Sequence, residues 1–201
     1  MSPSQQILPP PGYDRKTAAS RFFRSWVFFL LVFAVHAAWA DEDNWQSLPT
    51  KYTVLHFQSL KDLELFNSDI DYASGGVFQS LFGGAAGKDL KEQVVQKVDA
   101  LFVRAQEILD MRKYMRRVQI NLYPNKEALA EAYQKEVKKP GELRAWYTFE
   151  QHTIYVQVED VNEGMLAHEM AHAIIDHFLQ VRPPPATAEI LARYVDAHLK
   201  D

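Results

Sequence analysis

The sequence contains no cysteine. That absence excludes disulfides, thiolate metal sites and lipid attachment through an N-terminal cysteine. A basic excess is missing too: 22 Lys and Arg face 26 Asp and Glu, for a net charge of −4. Nucleic-acid surfaces need a basic footprint, so this balance argues against nucleic acid as a partner. Glycine is sparse, and five of the eight glycines fall within 67–87, "NSDIDYASGGVFQSLFGGAAG". That stretch cannot be one regular element and reads as a Gly-rich loop. Its end only superficially suggests a phosphate loop. The first required glycine would fall on Phe82, and Asp89 stands where Ser or Thr would hold magnesium. Phe78, Leu81 and Phe82 are expected to anchor the loop to the core, the alternative being that they pack down as a flap.

The 201 residues suffice for one domain. Arg15, Lys16, Arg21 and Arg24 precede the apolar run "WVFFLLVFAVHAAWA", which ends in Ala38-Trp39-Ala40 before the acidic "DED". A basic start, a short apolar core and an A-x-A site predict a secretory signal over 1–40, cleaved after Ala40. The alternative is an uncleaved membrane anchor, for which 15 residues including His36 fall short of the roughly 20 that span a bilayer. Removing 1–40 takes away four basic residues and one acidic, leaving 18 against 25 and a net charge of −7. A periplasmic or secreted domain over 41–201 is expected. It is large enough to stand without disulfides.

In the mature part, "KYTVLHF" (51–57) alternates as a strand. A polar helical turn is expected at 59–66. From Lys88 to Arg112, Leu90, Val94, Val98, Leu101, Phe102, Ala105, Ile108 and Leu109 keep helical spacing. "RRVQINLYP" (116–124) is an alternating strand, and 125–137 a helix capped by Asn125. Pro140-Gly141 breaks the chain. "LRAWYT" and "TIYVQV" form an antiparallel hairpin around "FEQH". Helices follow at about 161–180 and, after "RPPP", at about 186–199. The expected class is α+β, a small and mostly antiparallel sheet packed on helices.

The first of those last two helices contains "LAHEMAHAII" (166–175), with two histidines four apart and a glutamate after the first. With His168 at 0° on a helix, His172 lies at about 40°, Asp176 at about 80° and Glu169 at about 100°. Two imidazoles one turn apart supply two corners of a zinc tetrahedron. Glu169, set to one side, is then placed to take a proton from an attacking water instead of binding the metal. Burying three such side chains without a metal would be costly. One zinc per chain is therefore expected.

The third ligand must come from elsewhere. A third histidine six residues beyond His172 would require histidine at Phe178 and glycine at Ile175, which excludes the metzincin pattern. The best candidate is Glu189, near the start of the last helix, which a Pro-rich turn can fold back on the first. Its other reading is an exposed i, i+4 partner of Arg193, a pair contributing about 0.2–0.5 kcal/mol.

With these residues in place, the chain resembles a gluzincin-type zinc metallopeptidase of the thermolysin-like superfamily. It is similar to small bacterial peptidase MA-like proteins, which often read H-E-x-x-H-A and later W-x-x-E-G-x-A-x-Y. Here the second element is Ala188-Glu189-Ile190-Leu191-Ala192-Arg193-Tyr194, with Ile190 in the glycine's place and no preceding tryptophan. The resemblance implies a minimal zincin-like fold, His168, His172 and Glu189 as zinc ligands, Glu169 as general base, and peptide-bond hydrolysis. It also implies that the strand carrying Ala145 and Trp146 lends backbone hydrogen bonds to an extended substrate. The likeness covers the chain from about residue 116; before that it is a general strand-then-helix order.

Metal-bound histidines commonly donate their other nitrogen to a carboxylate. Asp176 and Asp196 are candidates for that role; each has the plain alternative of a solvated helix residue. For an oxyanion donor, Tyr194 and His198 project about 140° and 180° from Glu189, and His152 and Tyr155 are weaker still, so none is assigned. The sequence runs 12 residues past Glu189. The expectation is a shallow, open site of low selectivity, or one completed by a protein partner or by the 67–87 loop. The rival to a peptidase is a non-catalytic, zinc-stabilised periplasmic binding module.

Overall fold

The computed structural model describes residues 45–72, 89–138, 141 and 143–201. The expected signal over 1–40 and Phe78, Leu81 and Phe82 lie outside the described residues. The chain divides at Asn44–Trp45, and the unit described is Trp45–Asp201. Among the described residues, no helix is long and apolar enough to cross a membrane.

The elements run β1 (Gln46–Pro49), β2 (Thr53–Phe57), α1 (Leu60–Asp69), α2 (Leu90–Leu109), β3 (Val118–Tyr123), α3 (Lys126–Val137), β4 (Ala145–Thr148), β5 (Thr153–Gln157), α4 (Glu163–Phe178) and α5 (Pro185–Ala197). The class is α+β, as expected, but the sheet is not mostly antiparallel. Its five strands lie in the order β1-β2-β3-β5-β4. The outer pairs, β1 with β2 and β4 with β5, are antiparallel. The inner pairs, β2 with β3 and β3 with β5, are parallel. Chain order explains the mixture. The outer pairs are joined by short turns, whereas α1 and α2 intervene before β3 and α3 before the β4–β5 hairpin. Such long excursions return the chain in the same direction. The Gly-rich loop also begins later than expected, because 67–69 complete α1.

Local chemistry accounts for the helix boundaries. Ser59 and Asp62 form a capping box at α1: Ser59 Oγ accepts from the Asp62 N–H, and Asp62 Oδ2 accepts from the Ser59 N–H. Asn125 Oδ1 accepts the Ala128 N–H at 2.9 Å to start α3. Asn162 Oδ1 does the same for Met165 at α4, also at 2.9 Å. Pro185 opens α5 at a position that needs no N–H donor.

The sheet has a core on each face. Leu55, Ile120, Leu122, Ile154 and Val156 meet α1, α2, α4 and α5 on one side. α2 contributes Val94, Val98, Leu101, Phe102 and Ala105, all fully or almost fully buried. α4 contributes Leu166, Ala167, Met170, Ala171, Ala173, Ile174 and Ile175. On the other face, Leu129 of α3 covers Trp146 and Tyr155, with Tyr123, Ala132 and Tyr133 at the margin. β5 is therefore buried throughout, while neighbouring β3 alternates between the two cores.

Two features place the site. α4 follows the β4–β5 hairpin and packs against β4, α2 and α5. The far end of α5 is held by Arg104 of α2, whose Nε donates to the Leu199 carbonyl at 3.3 Å and whose Nη2 donates to the carbonyls of His198 and Asp201 at 3.0 Å each. A cationic fork at a helix C-terminus satisfies carbonyls that the helix leaves unpaired and complements its dipole.

Candidate metal centre

α4 presents His168 and His172 on adjacent turns, and α5 lies alongside with Glu189 near its start. His168 Nε2 and His172 Nε2 are 3.3 Å apart. Glu189 Oε2 lies 3.6 Å from the first and 3.5 Å from the second. A tetrahedral ion with bonds of about 2.0–2.1 Å separates its ligand atoms by about 3.3–3.4 Å. The three atoms thus form a nearly equilateral triangle of the size of one tetrahedral face. Among the described residues, His168, His172 and Glu189 are the group whose donor atoms converge in this way. The triangle has the size and the nitrogen–oxygen chemistry to hold one divalent metal ion.

The two oxygens of Glu189 face different neighbours. While Oε2 faces the imidazoles, Oε1 accepts from Arg193 Nε at 2.8 Å. Burial alone would raise its carboxyl, but the Arg193 hydrogen bond and the charges of His168, Arg193 and His172 outweigh burial and hold it below the usual range. His172 is lowered by burial first and by neighbouring His168 second, with Glu189 opposing. Both effects favour the forms that bind metal, a neutral imidazole and an ionised carboxylate.

Glu169 sits on the same helix but does not join the triangle. Only 9 % exposed, it is pushed up to about 7 by burial and then by the nearby charge of Glu189, while a hydrogen bond from the Tyr147 backbone N–H opposes the rise. A buried carboxyl poised near neutrality is suited to accept and return a proton. The Tyr147 contact was not apparent from sequence; no local spacing announces a bond between a strand and the following helix.

The two carboxylates expected beside the histidines have other neighbours as well. Asp176 is nearly buried and accepts from Arg182 Nε at 3.2 Å, although its charge also favours protonation of His172. Asp196 is exposed and lies against Gly164, where a side chain larger than hydrogen would collide with Asp196 Oδ1. That position is at the beginning of α4, a turn before His168.

β4 is the terminal strand of the sheet. Its Ala145 and Tyr147 pack toward the α4 side. The Trp146 side chain turns the other way and stacks on Tyr155 with ring centroids 4.4 Å apart and planes at 2°. Trp146 can therefore offer a substrate only its backbone. The remaining oxyanion candidates are likewise occupied. Tyr155 is buried beneath α3. His152 is held between the Arg116 carbonyl, at 3.0 Å, and the Tyr147 hydroxyl, at 3.2 Å. Tyr194 and His198 stack on each other, 4.0 Å between centroids, with the His198 ring bonded to the Tyr194 carbonyl.

Set beside known proteins, the chain matches no family model, no curated protein and no solved structure.

Proposed function

We propose that this chain is an exported zinc metallopeptidase of gluzincin type that hydrolyses peptide bonds in extended protein substrates. One observation carries the reading: two imidazole nitrogens and one carboxylate oxygen from successive helices form a triangle with edges of 3.3, 3.5 and 3.6 Å, beside a buried glutamate that is not part of it. Among the described residues three side chains converge, and three protein ligands with a fourth position for water are the arrangement of a catalytic zinc rather than a closed structural one.

Zinc bound there would supply a Lewis acid and a water whose proton is lost near neutral pH. As water adds to the peptide carbonyl, the Glu169 carboxylate would take its proton, hold it in the buried environment, and return it to the amine nitrogen as the C–N bond breaks. The Tyr147 N–H steadies the Glu169 carboxylate from the strand side. β4, at the margin of the sheet, pairs with the substrate backbone through main-chain hydrogen bonds, which tolerate many sequences. The reading places the enzyme in the periplasm or outside the cell, on the strength of the basic and apolar start of the chain with its A-x-A site.

The test pairs a metal assay with one substitution. The purified protein should hold about one zinc per chain, and Glu169→Gln should keep that zinc while losing hydrolysis of denatured casein. Equal hydrolysis by the two proteins would overturn the peptidase and leave a zinc-holding binding module. A protein without affinity for zinc would overturn both.

A further inference from the structure

We infer that Arg193 is a positioning residue that makes Glu189 a one-oxygen metal ligand. The inference rests on the metal-site reading above and adds to it how the carboxylate is aimed. The two Glu189 oxygens have different partners: Oε1 accepts from Arg193 Nε at 2.8 Å, and Oε2 is the atom 3.5–3.6 Å from the two imidazole nitrogens. Glu189 is 41 % exposed, so packing alone does not choose its rotamer. Without a tether, such a side chain samples several staggered positions and can present either oxygen, or both, to an ion. The Arg193 N–H removes that freedom by engaging the oxygen that faces away from the histidines.

The tether is built into α5. Residues four apart on a helix lie about one turn above each other on the same face, so a rigid α5 brings Arg193 to Glu189 without help from other elements. Arginine suits the task because its planar group donates along fixed directions, whereas an ammonium on a flexible stem does not. The side chain of Arg193 is 74 % exposed, so its removal opens no cavity. The Glu189–Arg193 pair would contribute little as a surface ion pair; its value lies in where it points Oε2.

Charge and orientation make opposite predictions. A guanidinium that acted only through its charge would repel a nearby divalent ion, and removing it would tighten binding. One that acts by orientation supports the ion, and its loss weakens binding. The experiment measures zinc affinity by competition with a chromophoric chelator, and the visible spectrum after cobalt replaces zinc, in the wild type, Arg193→Ala and Glu189→Ala. Arg193→Ala should fold as the wild type does by circular dichroism. It should lose about 10–100-fold in zinc affinity, the usual effect of removing an outer partner of a ligand. Its cobalt absorption should weaken as the freed second oxygen raises the coordination number. Zinc affinity equal to or tighter than wild type, with an unchanged cobalt spectrum, would overturn the role of Arg193; if Glu189→Ala were still weak, the metal site itself would stand. A wild type that takes up neither ion would overturn both.

Discussion

The ring nitrogens of His168 and His172 face each other at 3.3 Å, closer than either stands to Glu189. Without a cation they can share at most one N–H between them, and protonating both rings puts two donors face to face. A divalent ion bound between them would remove the conflict and tie α4 to α5. Zinc at a hundred times its dissociation constant should therefore stabilise the fold by about 2.7 kcal/mol. For a domain of this size that raises the melting temperature by roughly 5–10 °C. Thermal melts with zinc and with a chelator check the shift, and His168→Ala should abolish it. A wild-type melt that ignores zinc would remove the ion from the picture.

Arg104 lies on α2, outside the metal-site triangle, yet it holds the carbonyls of His198, Leu199 and Asp201 beyond the end of α5. Arg104→Met should cost about 1–3 kcal/mol in urea unfolding, the range for hydrogen bonds to a charged group and the carbonyls left unpaired. It should also weaken zinc binding, because α5 carries Glu189. Unchanged affinity alongside reduced stability would show that the grip on this end of the helix does not reach its start.

His152 gives a pH prediction. The turn holds it at φ 55°, its ring lies 3.9 Å from that of His177, and burial lowers it to about 4, with the Arg116 carbonyl opposing and the His177 charge assisting. The unfolded chain takes up this proton near pH 6.5, so between the two values the unfolded state binds more. Stability from neutral His152 is complete above about pH 6.5 and is lost as pH falls toward 4, by up to about 1.4 kcal/mol for each pH unit. His152→Gln should flatten that part of the profile. Urea titrations at several pH values, with chelator present throughout to exclude metal loss, make the comparison; parallel profiles would sink the assignment.

Phe102 is fully buried on α2 and stacks on Tyr52 at 5.0 Å with planes at 8°. Phe102→Ala should destabilise the domain by about 3–5 kcal/mol. A loss below 1 kcal/mol, measured by urea unfolding, would mean that the pocket collapses around the gap.

The parts that could be read from sequence are those settled within one or two turns of chain. α2 announces itself because its apolar residues repeat at helical spacing, and the caps at Asn125 and Asn162 lie within three residues of the N–H groups they satisfy. The pattern from His168 to His172 is similarly local. β1 is different, since four mostly exposed residues ending in Pro49 carry no alternation. Nor does alternation report strand direction. Val118, Ile120 and Leu122 would point inward whether the neighbouring strand ran up or down, so the parallel inner pairs were not visible. At the site, the paired reading of Glu189 depended on how α5 folds back. The partner of Asp176 depended on the turn after Leu179, which brings Arg182 within reach and takes this carboxylate away from a simple role beside His172.

Trp146 stacks flat on Tyr155 with its indole N–H shielded from water and without a partner among the described residues, while its backbone belongs to the strand that packs against α4. The protein thus carries its own optical gauge. An indole in so dry a setting emits toward the blue, and any event that lifts β4 from its neighbour shifts that emission toward the red. With the other three tryptophans replaced by phenylalanine, a fluorimeter can follow the strand beside the candidate metal centre without an added dye.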